Sequence, residues 1–124
     1  MVSWRKAVGL AAMLMLLGSA SAAERDSYGS IAFSPSTGAN GYVYGAGSKE
    51  EAEDAALSRC DKHAGDCRTG INFWNSCGAV ALGDNAGWGS AWAEDGDRAQ
   101  DLALSYCREH TRNCRIIRWQ CSLP

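Results

Sequence analysis

The feature that most constrains this chain is a repeated segment that ends in a cysteine. The pentapeptide ALSRC at 56–60 returns as ALSYC at 103–107, which is 47 positions later. The spacing C-x2-H-x3-C then follows in both places, at 60–67 and at 107–114. Similarity at a fixed offset is typical of a duplicated structural unit. We therefore predict one domain over 28–121, built from repeats at 28–77 and 78–121.

Each repeat has the pattern of two strands, a helix and a third strand. In the first repeat, Ile31 and Phe33 alternate with small residues, and turn formers separate them from YVYG, which suits a β-hairpin. Ser48, with Glu51 three residues on, is the pattern of a capping box. The second helix carries an apolar stripe at helical spacing, formed by Ala99, Leu102, Ala103, Tyr106, Cys107 and His110. The fold class predicted is α+β: two tandem β-β-α-β units that form a mainly antiparallel sheet with two helices packed on it.

The six cysteines form a framework that matches the repeat. An even number of cysteines in a small exported chain favours disulfides, and six allow about 15 pairings. The duplication favours one of these pairings: Cys60–Cys67, Cys107–Cys114 and Cys77–Cys121. Zinc binding by the two Cys/His clusters is the alternative, although each cluster supplies three ligands where a structural zinc site takes four. We predict disulfides and no metal.

The first 22 residues have the composition of a secretory signal peptide. Arg5 and Lys6 precede the apolar run 7–17, and Ala20-Ser21-Ala22 is an A-x-A cleavage signal. Cleavage is expected after Ala22 or Ala23. The apolar run is shorter than the roughly 20 residues that span a bilayer, and no second run follows it. We expect a secreted or periplasmic protein without a membrane span after cleavage.

The charge of the remaining chain argues against two classes of partner. The whole sequence has 12 basic and 14 acidic residues. Loss of Arg5 and Lys6 removes two positive charges and no negative one, which leaves a net charge of −4. Nucleic acids and anionic membranes are bound through clustered Lys and Arg. We therefore expect neither as a partner.

The sequence contains no recognisable catalytic constellation. It lacks a G-x-S-x-G elbow, an H-E-x-x-H helix and a P-loop, and its two histidines occupy equivalent positions of the repeat. No cofactor is predicted. Asp84 and Asn85 lie in the tight turn GDNAGWG, where they suit the backbone angles of a hairpin. The alternatives are a polar contact beside the nearby tryptophans, or an acid–base role for Asp84 in a small hydrolase that acts on cell-wall glycan.

Paired aromatic residues are the better indication of a binding function. Tyr42 and Tyr44 share one face of a strand, and Trp88 and Trp92 share one face of the equivalent strand. These faces belong either to the core or to a free surface suited to a protein or glycan partner. In the second case a set of arginines is available to rim the surface: Arg68, Arg115 and Arg118. The candidate binding residues are therefore Tyr42, Tyr44, Asp84, Asn85, Trp88 and Trp92.

Three segments resemble the bacterial domain of unknown function 4189. They are the opening IAFSPSTG, the two A-L-x-x-C helix ends and the joint CGAVALGDN. The resemblance covers nearly all of the chain after the signal peptide. It implies a small exported bacterial protein and supplies no established catalytic residues. The function expected is that of a non-enzymatic exported module that binds another macromolecule, such as an envelope protein, an inhibited toxin or hydrolase, or a host target.

Overall fold

The computed structural model describes residues 25–124, so the predicted signal peptide and its cleavage site lie outside the described residues. Within these residues the chain forms six strands and two helices in the order ββαβ–ββαβ. Their bounds are β1 Tyr28–Phe33, β2 Asn40–Ala46, α1 Lys49–Asp61, β3 Arg68–Trp74, β4 Ser76–Leu82, β5 Trp88–Ala93, α2 Gly96–Arg108 and β6 Arg115–Ser122. The predicted α+β class and the tandem order of the elements are confirmed.

The six strands form two antiparallel sheets of three strands. The first has the order β2-β1-β3 and the second has the order β5-β4-β6. The antiparallel pairing was predicted, but the division into two sheets was not. Asn75, at a positive φ of 52°, separates β3 from β4 and lets the chain leave the first sheet for the second. Each sheet therefore corresponds to one repeat.

The two sheets pack face to face and each carries a helix on its outer face. Alternation along β1 sends Ile31 and Phe33 into the layer between the sheets, while Ala32 faces α1. Along β4, Val80 joins the layer between the sheets and the alanines face α2. Both central strands are consequently buried on both faces. The architecture is a sandwich of four layers, helix-sheet-sheet-helix.

The repeated ALS-x-C segment packs against a glycine of the neighbouring strand in both units. A Cβ atom placed at Gly41 would meet the backbone of Ala56 and Cys60. The equivalent Gly89 lies against the backbone of Ala103 and Cys107 in the same way. This spacing leaves no room for a side chain, so the helix requires small residues on its own face and glycine opposite. The recurrence of the pentapeptide thus reflects one helix–sheet contact made twice.

The helices begin where their sequences predict. Ser48 caps α1 by accepting a hydrogen bond from the backbone N–H of Glu51 at 3.1 Å, as predicted. The Glu51 carboxylate accepts from the backbone N–H of Gly47 at 3.2 Å, one residue before the partner that a capping box uses. Asp95 caps α2 by accepting from the N–H of Arg98 at 2.8 Å. The predicted stripe of α2 is buried at Ala99, Ala103 and Cys107. Two larger residues of the stripe, Tyr106 and His110, are exposed. The helix lies so close to the sheet that only small side chains fit directly beneath it.

The two units are related by an approximate twofold arrangement in which β1 lies over β4, β2 over β6, and β3 over β5. Irregular register leaves Gly70 of β3 and Ile117 of β6 as extra residues at equivalent bulges. Each bulge carbonyl accepts a hydrogen bond from the other unit. Ser90 Oγ donates to Gly70 at 2.8 Å, and Asn40 Nδ2 donates to Ile117 at 3.4 Å. This reciprocity is the signature of a self-complementary interface.

All six cysteines are paired as predicted. The bonds Cys60–Cys67 and Cys107–Cys114 each fasten the end of a helix to the next strand, with Cα atoms 6.0 and 6.1 Å apart. The predicted boundary of the repeats placed Cys77 at the end of the first unit, whereas it lies in β4, the first strand of the second unit. It is directly opposite Cys121 of β6, so the bond links two strands of the second sheet. Loops closed in this way are restricted in the unfolded chain.

The close helix–sheet contact predicts that glycine is required at both equivalent strand positions. We expect Gly41→Ala and Gly89→Ala each to lower the free energy of unfolding by about 1–3 kcal/mol, the usual cost of overpacking. Urea denaturation under oxidising conditions measures the effect. Gly65→Ala is the control, since its Cβ would meet no atom within 4 Å and its stability should change by less than about 0.5 kcal/mol. Equal stability of all three variants would contradict the proposed contact.

Candidate functional site

The first residue of each predicted aromatic pair lies between the sheets. Trp88 packs against Phe33 with their ring centroids 4.9 Å apart, and the Arg68 guanidinium lies 5.3 Å from the Trp88 ring. Tyr42 is covered by Arg118, whose guanidinium lies 4.3 Å from the ring centroid. Both aromatic rings are half-buried. Each ring therefore packs between the sheets, while part of it remains accessible to solvent.

The second residue of each pair is exposed. Trp92 is 55% exposed and Tyr44 is 61% exposed, although each shares a strand face with its half-buried partner. The two rings lie at different places, because β5 packs over β3 whereas β2 packs over β6. The predicted aromatic residues are thus not brought together into one surface.

Asp84 and Asn85 form the tight connection between β4 and β5. Asn85 adopts a left-handed conformation with φ 53°, which asparagine tolerates well. The Asp84 carboxylate accepts a hydrogen bond from Asn113 Nδ2 at 2.8 Å, and its carbonyl accepts one from Thr111 Oγ1 at 2.7 Å. These contacts fasten the hairpin to the loop closed by Cys107–Cys114. In the described residues, no contact points to an acid–base role for Asp84, and a binding role for Asp84 and Asn85 stays a prediction.

The first unit also fastens its hairpin to the loop that its disulfide closes. Here the carboxylate belongs to the loop, whereas in the second unit it belongs to the hairpin. Asp66 lies in the loop closed by Cys60–Cys67, at the position equivalent to Asn113. Its carboxylate accepts a hydrogen bond from Ser34 Oγ and another from the backbone N–H of Ser36 at 3.2 Å. The hydrogen bonds from Ser34 and Ser36 lower the pKa of Asp66, because they stabilise its charged form.

An exposed aromatic patch occupies the side of the sandwich where β3 lies against β5. Trp74 of β3 is 56% exposed, and its ring centroid is 6.5 Å from that of Trp92. A shallow cleft continues from Trp92 to Tyr106 of α2, which is 46% exposed, and is also lined by Ile71 and Leu102. We call these five residues the aromatic patch. Of these residues, the sequence pattern indicated only Trp92 as a binding residue, and the helical spacing placed Leu102 and Tyr106 in the core stripe of α2.

The repeat also forms two equivalent clefts, each between a strand and the end of a helix. The Trp88 cleft, of about 420 Å³, is lined by Gly87, Trp88, Gly89, Ser90, Tyr106 and His110. The basic cleft, of about 360 Å³, is lined by Asn40, Gly41, Tyr42, Arg59, Lys62 and His63. The glycine and histidine are common to both clefts, whereas the other side chains differ in chemistry.

The described residues contain no cluster of three or more His, Cys, Asp or Glu side chains able to hold a metal ion. The cysteines of both C-x2-H-x3-C segments are in disulfides, so their sulfurs are not available as thiolate ligands. Neither helix within 25–124 has the length and apolar character needed to cross a bilayer.

The fold and its surfaces define a class of protein: a small, disulfide-linked sandwich of two duplicated β-β-α-β units. The family model "Domain of unknown function (DUF4189)" matches residues 28–121, and the chain belongs to this family. The resemblance noted in the sequence is thereby confirmed.

A solved structure has the same fold. The NMR structure of Rv1813c from Mycobacterium tuberculosis is 30% identical to this chain, with a TM-score of 0.56. The match covers 77% of this chain and 75% of the other. No curated protein matches the sequence.

The lowered pKa of Asp66 predicts an acid-dependent contribution to stability. A carboxyl group whose pKa is lower in the folded state stabilises the fold above its unfolded pKa, and this contribution is lost as the pH falls through the folded value. We expect the Asp66 carboxyl, followed by NMR, to titrate below the ordinary range of aspartate. In Ser34→Ala its pKa should move back up, since the principal hydrogen bond is removed. An unchanged titration in that variant would contradict the assigned cause.

Proposed function

We propose that this protein is an exported, disulfide-linked module that binds another protein through the aromatic patch and has no catalytic activity of its own. The observation that carries the proposal is the position of Trp74 and Trp92, two half-exposed indole rings in contact at the border of two units. Tryptophan and tyrosine are enriched at the centres of protein interfaces, where a few buried aromatics supply most of the binding energy.

The composition of the patch supports a protein as the partner. Ile71 and Leu102 surround the aromatic rings with aliphatic surface, and Ser90 beside them donates its hydroxyl to Gly70. The indole planes are inclined by 36°, so together they form a contoured apolar surface rather than one flat platform. Such a surface fits apolar side chains of a protein. A glycan partner is the alternative outcome of the experiment below.

The repeat itself supports a role in binding rather than in folding. The position equivalent to Trp92 is Tyr44, that equivalent to Tyr106 is Arg59, and that equivalent to Trp74 is Cys121. The last two pairs show that the frame of the unit forms without aromatic residues at these two positions. The large exposed rings on the β3–β5 side are therefore free to serve recognition, and a contiguous apolar patch is the usual mark of an interaction site.

The three disulfides support export to an oxidising compartment. Structural disulfides persist in secreted and periplasmic proteins and are rare in the cytosol of most organisms. The signal-like segment 1–22 supports the same location. A partner is therefore sought in the cell envelope or outside the cell.

The experiment places a photo-crosslinking amino acid at position 92 or at position 44 in the exported protein. Position 44 is a matched control, because Tyr44 is equally exposed and equivalent in the repeat. We expect a specific protein adduct from position 92 that position 44 does not give. Trp74→Ala, introduced together with the crosslinker at position 92, should reduce the yield, since the two rings form one surface.

Affinity for the captured partner provides the quantitative test. Trp74→Ala and Trp92→Ala should each weaken binding by about 2 kcal/mol, as is common for central aromatic residues, while Tyr44→Ala leaves the affinity within about twofold. The proposal fails if both crosslinking positions give the same adducts, or if the two tryptophan variants bind as tightly as the Tyr44 variant. Adducts to glycan alone would assign the patch to the other class of partner.

A further inference from the structure

The basic cleft differs in charge from the rest of the molecule. The chain as a whole is acidic, with a formal net charge of −2. The cleft is lined by Arg59, Lys62 and His63, and none of the described acidic side chains lines it. Three nitrogen-bearing side chains thus face one concave surface without a carboxylate between them.

A further arginine adjoins the same cleft from the opposite sheet. Arg118 of β6 lies over the ring of Tyr42, and its Nε donates to Asn40 Oδ1 at 2.9 Å. Tyr42 and Asn40 are both lining residues of the cleft. Arg59 is held in place by a hydrogen bond of 2.7 Å from its Nη1 to the Tyr42 carbonyl. Two guanidinium groups are therefore oriented by the protein around one site.

The end of helix α1 accounts for only part of this charge. A basic residue in the last turn of a helix interacts favourably with the helix dipole, so one cation there is expected. The second unit, however, builds the same helix end with Tyr106 in the position of Arg59 and Glu109 in the position of Lys62. The fold of the unit therefore does not require positive charge at either position.

We propose that the basic cleft binds an oxyanion of the phosphate type, on a surface distinct from the aromatic patch. Arginine offers five N–H donors in a planar fork, and one hydrogen bond to Tyr42 leaves most of those of Arg59 free. Lys62 adds three donors on a flexible stem. Hydrogen bonds between such cations and an oxyanion are short and strong, and arginine engages phosphate with two at once. The phosphate group is either free in solution or carried by a lipid headgroup. The net charge, which argued against anionic membranes, does not show this local grouping of basic side chains.

The first test is a titration of the ¹⁵N-labelled protein at low ionic strength with inorganic phosphate, followed by amide chemical shifts. We expect shifts that saturate and cluster at Gly41, Lys62 and His63. A second arm replaces phosphate with vesicles of phosphatidylglycerol, and vesicles of phosphatidylcholine serve as the neutral comparison. Binding in the phosphate arm or loss of signal with the anionic vesicles supports the proposal, and the arm that responds identifies the source of the anion.

Variants decide whether the cleft itself is responsible. The double variant Arg59→Gln, Lys62→Gln should weaken binding by about tenfold or more, since two charge-assisted contacts are removed. The control Arg98→Gln, Arg108→Gln removes the same charge from α2 and should change affinity by about twofold or less. Lys62→Gln alone is included because Lys62 is exposed and its loss cannot disturb the contact of Arg59 with Tyr42.

Two results would overturn the proposal. One is the absence of saturable shifts at the cleft with phosphate together with the absence of binding to anionic vesicles. The other is equal weakening by the cleft variant and by the control variant, which would show only a general attraction to positive charge.

Discussion

The structure depends on the layer of apolar side chains between its two sheets. A sheet of three strands with one helix buries a single face and leaves the other exposed to water. Here Ile31 and Phe33 of one unit meet Val80 and Leu82 of the other, and Phe73 closes the layer at its end. The central strands are then buried on both faces. Because this contact sets which strands lie over each other, it also decides which side chains meet at the borders of the two units.

The local elements could be predicted from the sequence because their causes are local. Alternation, the Ser48 cap and the C-x6-C spacing each act between residues close in sequence, and the duplication showed that the strand–helix order and the cysteine spacing occur twice. The division into two sheets could not be predicted in this way. Ile31, Ala32 and Phe33 are all apolar, so their alternation shows two buried faces but does not say what covers each. Placing the boundary of the repeats after Cys77 also concealed the break at Asn75, where the chain changes sheets.

The candidate site could also be predicted only in part, because local patterns do not show what covers each face of a strand. Trp88 and Trp92 do share a strand face, as their spacing indicates. Only one end of that face is covered by the other sheet, so Trp88 packs on Phe33 while Trp92 remains exposed. Trp74 and Tyr106 complete the aromatic patch, but their approach to Trp92 depends on β3 lying over β5 and on α2 lying over the second sheet. No spacing within a single segment indicates these contacts.

The two units meet along two edges, where β3 lies against β5 and where β2 lies against β6. Because the units are duplicates, these two borders have similar backbones but carry different side chains. The residues that the frame requires are the same in both units: Gly41 and Gly89, Ala56 and Ala103, Cys60 and Cys107. The surrounding surface residues do not take part in this helix–sheet contact, so they can differ between the two units. At the border of β3 with β5 they are tryptophan and tyrosine, whereas at the border of β2 with β6 they are arginine and lysine. A self-complementary frame places these borders on opposite edges of the sandwich. One chain therefore presents an apolar surface and a cationic surface at separate places.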